Sequence, residues 1–437
     1  MACPLALASS PVTPEKPSEP IIRPDIDWIP SYKVYKDRVE RLAALGLDRP
    51  TAVPEGWPTQ IDAERCWSGS DFKSEDDYVF RLTADDIVEV EAGLACFKAL
   101  PGDLNPDDVN PTTFPLPTLG PRLVEVSKTI HEGRDFAVLR GLEPNKYSSM
   151  DNILIYLGVT SHIAETRGMQ DFDGRMILHI QAVVEDIKKH GSMPNSPYVA
   201  RAQVRPPLPL SMSTNRPNRI HSFIPQPFHT DLCDVLSLYA LDVAAYGGES
   251  FLASSAKIYN EIARTRPDII HVLAKDDWPF DEFYQSQYHT RPLLHLFGPH
   301  GPGFQFSRRP LTGSHFSPHH PLVPAMTEIQ AEALDTVYFL AKQHAVEIVL
   351  RKGDIQIFNN FAMLHARSSF VDGEAESKRH MLRLWLRNEE RKWPVPRALE
   401  RLSWECYGDH EWRKNAVWDI ERSPPELRVK YRRASCA

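Results

Sequence analysis

The sequence predicts a mainly β chain with helices flanking it, on three observations. First, from about 195 to 310, short apolar runs alternate with Pro, Gly and Ser, as in VLSLYALDV (235–243), SFLASS (250–255) and RPLLHLF (291–297), the texture of antiparallel strands and turns. Second, strand texture returns at 346–364 and 381–387 after an interruption of helical character. Third, the 437 residues contain 38 prolines against 21 glycines, which favours turns and extended connections over long helical arrays.

The elements follow in order. Seven prolines fall in residues 1–30, and this stretch reads as a disordered arm. Residues 31–45 carry apolar side chains at helical spacing up to Gly46. Residues 50–80, rich in Pro, Trp and Asp, read as a wrapping loop. At Thr83 a helix start is predicted, because a threonine oxygen can accept an N–H of the first turn and Asp85 and Asp86 suit the positive helix end. A proline-rich loop (101–120), a helix (121–132) and a buried strand (136–142) come next. Helical segments are expected at 256–275 and 327–345. The barrel is expected mainly from 195–255 and 290–390, within one domain spanning 31–390. The tail, 391–437, carries Trp393, Trp404, Trp412 and Trp418 and is expected to pack on that domain before fraying.

Composition excludes some functions. No apolar run approaches the roughly 18 residues of a membrane span. A net charge of −8 argues against a general nucleic-acid binder. The six cysteines are scattered and form no CxxC, which points to reduced thiols and, without a signal-peptide pattern, to the cytoplasm. Self-association is left open.

The strongest local signal is Phe228-His229-Thr230-Asp231. His229 and Asp231, two apart on a strand, face one side. One further neutral imidazole would complete a two-His-one-carboxylate face, which leaves open positions on Fe(II). His365 is the best third ligand, following the strand-like run Lys352–Asn360. Asn359 and Asn360 would shape the turn into it. Fourteen residues after His365 begins Arg379-His380-Met381-Leu382-Arg383-Leu384-Trp385-Leu386-Arg387. Period two puts Arg379, Arg383 and Arg387 on one face, a wall suited to carboxylates. Ile355 and Ile357 share a face and are candidates for an apolar substrate wall. His162, Arg167 and His179 are weaker candidates, read first as structural, and the cluster His315, His319, His320 reads as a surface loop.

At this point the chain resembles the taurine dioxygenase (TauD/TfdA-like) family of Fe(II)- and 2-oxoglutarate-dependent oxygenases, over roughly 120–390. HTD, Gly247-Gly248-Glu249-Ser250, the distal histidine and RxxxR carry the resemblance. The words FPLPTL (114–119), VLRGL (138–142), GGESFLASSAKIYNEIARTRPD (247–268) and RHMLRLWLR (379–387) are similar to a fungal secondary-metabolism branch. The resemblance implies a double-stranded β-helix (jelly-roll) core, iron on His229, Asp231 and His365, and the distal carboxylate of 2-oxoglutarate on Arg379 with Ser250. Ser250 stands where the family usually has threonine. It also implies a substrate acid on Arg383. O2 would be the co-oxidant, with succinate and CO2 as products. The expected substrate is a small carboxylate-bearing metabolite, an amino acid first among them, undergoing hydroxylation or oxidative ring closure such as aziridine formation. Two alternatives stand beside this: a non-catalytic β-barrel binding protein, and an oxygenase acting on a protein-bound or larger substrate.

Overall fold

The computed structural model describes residues 23–61, 64–171, 174–182, 199–200, 202–203, 222–223, 225–281, 288–313, 320–373, 377–410, 413 and 416–421. Residues 1–22, the histidines His315 and His319, Trp412 and the basic end after 421 lie outside that set.

Two sheets face one another. The larger runs in the order Val79–Arg81, Phe136–Arg140, Ile355–Asn359, Val235–Asp242, His380–Arg387, Ile177–Ala182, Val199–Ala200. Its central pairings are antiparallel, and Thr166–Gly168 also pairs with His380–Arg387. The smaller runs Val346–Ile348, Ser250–Ser254, Met363–Arg367, Gln226–His229, all antiparallel.

Strand alternation sorts side chains into three apolar layers. Between the sheets lie Phe136, Val138, Leu236, Phe358, Met381 and Trp385 of the larger sheet, against Leu252, Ile348 and Met363 of the smaller. Behind the larger sheet, Leu139, Tyr239, Ile355, Ile357, Leu382 and Leu384 pack on helices Ala84–Ala99, Leu119–Glu132 and Ser149–Ser161. Behind the smaller, Phe228, Ala253, Leu364 and Ala366 pack on helices Ser255–Thr265, Pro267–Leu273 and Glu328–His344.

Several helix signals act as expected. Thr83 and Asp86 form a reciprocal capping box, as do Thr327 and Gln330. Residues 256–275 make two helices, because Pro267 has no N–H to continue the first and instead begins the second.

Three expectations are corrected. The chain is a mixed α/β assembly, its helices being as extensive as its strands. The larger sheet also recruits strands before residue 195, at Val79–Arg81, Phe136–Arg140 and Ile177–Ala182. The helix Ser149–Ser161 was not predicted. Nearly all of it is buried, so it has no polar stripe to give it a helical period. In the tail, Trp393 is buried, and a further helix occupies Glu400–Tyr407.

Candidate metal and cosubstrate site

His229 ends its strand directly opposite His365, a registered pair of adjacent strands in the smaller sheet. Their ring centroids are 4.0 Å apart. Asp231 follows two residues later, and the ligand atoms of His229, Asp231 and His365 all lie within 4.8 Å of one another. It is the only such group of three or more potential ligands among the described residues.

The surroundings fix each ligand. The Nδ1 of His229 is 3.0 Å from the Pro227 carbonyl. If Nδ1 carries the proton and donates it there, the Nε2 lone pair is left for a metal. Gln226 Nε2 sits 3.0 Å from that Nε2. Phe358 packs against His365, centroids 5.2 Å apart. Asn360 braces the Asp231 backbone from both sides. Its Oδ1 accepts the Asp231 N–H at 2.8 Å, and its Nδ2 donates to the carbonyls of Asp231 (3.0 Å) and Cys233 (2.7 Å). Gln305 adds a bond to the same Asp231 carbonyl at 2.9 Å and accepts from Thr230.

Electrostatics favour metal binding. Burial lowers the proton affinity of His229 and, more strongly, of His365, where His229 adds to the effect. Both rings are therefore held neutral. Burial opposes the charge of Asp231, but the Arg383 guanidinium beside it, with the Trp385 N–H, holds the carboxyl below its usual range. Asp231 Oδ1 and His365 Nδ1 are buried without a hydrogen-bond partner. Two buried imidazoles and one carboxylate, two of whose atoms are unmet, fit a divalent iron with open positions.

The residues expected to hold the cosubstrate lie on neighbouring strands. Ser250 pairs with Arg367, and two residues on Leu252 pairs with His365, so Ser250 lies roughly 7 Å along the strand from the His365 level. Its hydroxyl donates to Gln356 at 2.9 Å. The preceding Gly247 and Gly248 both adopt positive φ, and a Cβ on Gly247 would sit 2.2 Å from the Ser369 carbonyl oxygen. Arg379 is buried and forms no ion pair among the described residues, and its Nε has no hydrogen-bond partner. Burial lowers its guanidinium to about 10. It faces a small cleft lined by Gly248, Glu249, Leu350 and Met381. Arg367, which the sequence reading did not single out, lies 4.7 Å over the Phe370 ring, with Arg379 5.5 Å over the same ring. Burial and Arg379 hold Arg367 well below its ordinary value.

Other expected residues are placed elsewhere. Ile355 and Ile357 do share a face, but it is the outer one, against the helices. They form no substrate wall. Gln356 and Phe358 take the inner face instead. The expectation that Arg383 holds a substrate acid meets a guanidinium already turned onto Asp231 Oδ2 at 2.7 Å and Gln170 Oε1 at 2.9 Å. Arg387 is paired with Asp234 through Nε and Nη2 at 2.7 and 2.9 Å. His162 bonds the Phe114 carbonyl, Arg167 donates to the carbonyls of Pro106, Asp107 and Val109, and His179 bonds His380.

Comparison with known proteins agrees with this chemistry. Residues 97–385 match the family described as Taurine catabolism dioxygenase TauD, TfdA family. The chain is 33% identical over 380 residues to Taurine hydroxylase-like protein SAT17 of Stachybotrys chartarum, covering 86% of this chain and 92% of that protein. It is 29% identical over 185 residues to FR-33289 synthase of Streptomyces rubellomurinus, covering 41% of this chain and 54% of that protein. Its fold resembles an asparagine oxygenase solved with Fe(II), 3-hydroxyasparagine and succinate, at a TM-score of 0.51 and 13% identity, over 71% of this chain and 93% of that one. No helix among the described residues is long and apolar enough to cross a membrane. The chain belongs to the taurine catabolism dioxygenase TauD, TfdA family, and it is an Fe(II)- and 2-oxoglutarate-dependent dioxygenase.

Proposed function

We propose that this dioxygenase oxidises an aliphatic C–H bond of a small free metabolite bearing a carboxylate, an amino acid first among them. Hydroxylation and oxidative ring closure, such as aziridine formation, are both within its chemistry. The observation that carries the reading is the pairing of an enclosed triad, in which Asp231 Oδ1 and His365 Nδ1 are unmet, with a buried arginine that forms no ion pair among the described residues. The two facing sheets are read as the halves of a double-stranded β-helix.

Bound iron, 2-oxoglutarate and O2 supply the oxidising power and release succinate and CO2. The chain's own residues hold and exclude. His229, Asp231 and His365 would be the metal ligands. Arg379 would take the distal carboxylate of 2-oxoglutarate as a charge-assisted pair, with the Ser250 hydroxyl beside it. Arg367 adds positive charge to the same end of the cavity, which suits a dianion. Among the ligands, His229 and Asp231 are buried and His365 is partly exposed, so substrate would approach from the His365 side. The amino-acid class is supported by the asparagine oxygenase of similar fold, which holds a hydroxylated amino acid. No disulfide joins the four described cysteines, which suits a reducing compartment.

The test is anaerobic protein with Fe(II) and 2-oxoglutarate, exposed to O2 with a panel of free L- and D-amino acids and small acids. Succinate rising with one compound supports the reading. A product gaining one oxygen is hydroxylated, and one losing two hydrogens is cyclised or desaturated. Succinate stimulated only by proteins or by no small acid would overturn it.

A further inference from the structure

Three buried side chains gather at or behind Asp231 Oδ2. Arg383 donates from Nη1 to Asp231 Oδ2 at 2.7 Å, and the Trp385 indole N–H donates to the same oxygen at 2.9 Å. Gln170 grips Arg383 twice, accepting from its Nε at 2.9 Å and donating to its carbonyl at 2.8 Å. The same Gln170 amide reaches the Met176 carbonyl at 3.0 Å. Arg383 and Trp385 are two apart on one strand and so project to one face. Oδ2 is thereby saturated by two donors, while Oδ1 is left bare, 3.8 Å from His229 Nε2.

We propose that Arg383 and Trp385, with Gln170 behind them, are positioning residues of the metal centre: they hold Asp231 by Oδ2 so that it offers the metal Oδ1 alone. The proposal rests on the metal-site reading above and replaces the role of substrate-acid clamp expected of Arg383. A carboxylate ligand free to turn can chelate through both oxygens and use up a position needed by cosubstrate or O2. Two fixed N–H donors on Oδ2 prevent that. Outer partners of this kind are commonly worth 10–100-fold in metal affinity or activity. The arrangement also explains a buried guanidinium that has no surface role: its charge offsets Asp231 before any metal arrives.

Two variants test it without altering the net charge of the site. Trp385→Phe keeps the ring and removes one donor. Arg383→Lys keeps the cation and removes the planar fork and the Gln170 contact. Fe(II) and Co(II) are titrated anaerobically by calorimetry into each protein, without 2-oxoglutarate or substrate, and the visible spectrum of the Co(II) form is recorded. Thermal unfolding of the metal-free variants shows that they are folded. Expected are a roughly 10–100-fold weaker Kd for both and a changed Co(II) spectrum, as Asp231 shifts toward two-oxygen coordination. Wild-type affinity and spectrum in both variants would overturn the proposal. If Arg383→Lys then raised the KM of the turned-over substrate alone, the substrate-clamp role would be restored. Wild-type protein that binds neither metal would instead sink the metal-site reading itself, a separate outcome.

Discussion

Asp135 offers a test of how burial acts on this fold. The residue is fully buried, at φ +70°, just before the strand Phe136–Arg140, and neither carboxylate oxygen has a hydrogen-bond partner. Its nearest counter-charge is Arg65 Nε at 3.8 Å. Burial pushes the carboxyl up to about 8, against which Arg65 pulls only in part. An unfolded aspartate titrates near 3.9. The folded state therefore binds the proton more tightly, and stability falls as pH rises from about 4 to about 8. At 1.36 kcal/mol per unit, the ceiling is roughly 6 kcal/mol. Relaxation and the loss of a partner for Arg65 reduce the gain from removing the charge to about 1–3 kcal/mol. Asparagine keeps the shape, and tolerates positive φ better than most residues. Asp135→Asn should therefore raise the unfolding midpoint at pH 8 by a few degrees and change it little at pH 5. Chemical denaturation at both pH values measures the difference. Equal destabilisation at pH 5 and pH 8 would show that the carboxylate is ionised and held by Arg65, and the burial argument would fail.

Other outcomes follow from the site. Arg379→Ala removes a buried charge-assisted pair and should raise the Kd for 2-oxoglutarate by about 100-fold or more, some 3 kcal/mol; equilibrium binding in the metal-loaded enzyme checks it, and unchanged affinity would move the role to Arg367. Ser250→Ala should cost about 1 kcal/mol in the same assay, while Ser250→Thr should cost little. Asn360→Ala orphans the Asp231 N–H, removes a donor from the Cys233 carbonyl and leaves the Asp231 carbonyl to Gln305, so it should destabilise the fold by about 2–4 kcal/mol and weaken metal binding. Denaturant unfolding that leaves its stability intact would mean that water replaces the amide.

Much of the site was legible because strand geometry is simple. His229, Asp231 and His365 sit together as the alternation and the resemblance implied; Asn359 makes the local turn bond expected there, accepting the Phe361 N–H, while Asn360 instead braces the backbone at Asp231. Period two also put Arg379, Arg383, Trp385 and Arg387 on one interior face. What it could not supply was which face of the Ile355–Asn359 strand looks inward. That strand is buried on both sides, so neither face is marked by exposure, and Ile355 and Ile357 were assigned to the wrong side. Polar Gln356, bonded to Ser250, was the signal within that run. Partner choice among arginines was equally hidden, since spacing places Arg383 on the wall but not on Asp231. Gln170 comes from a segment far off in sequence and joins only through the sheet. The buried helix Ser149–Ser161 was hidden for the same reason as the isoleucines, having no solvated face.

The central claim is that His229, Asp231 and His365 form an iron centre that turns over 2-oxoglutarate. Its most direct test is oxygen-dependent succinate formation by metal-free protein reconstituted with Fe(II), set beside His229→Ala, Asp231→Ala and His365→Ala. The account predicts iron-dependent succinate in the wild type and its loss in all three folded variants. Full turnover in any one of them would remove that residue from the centre, and turnover without iron would contradict the account as a whole.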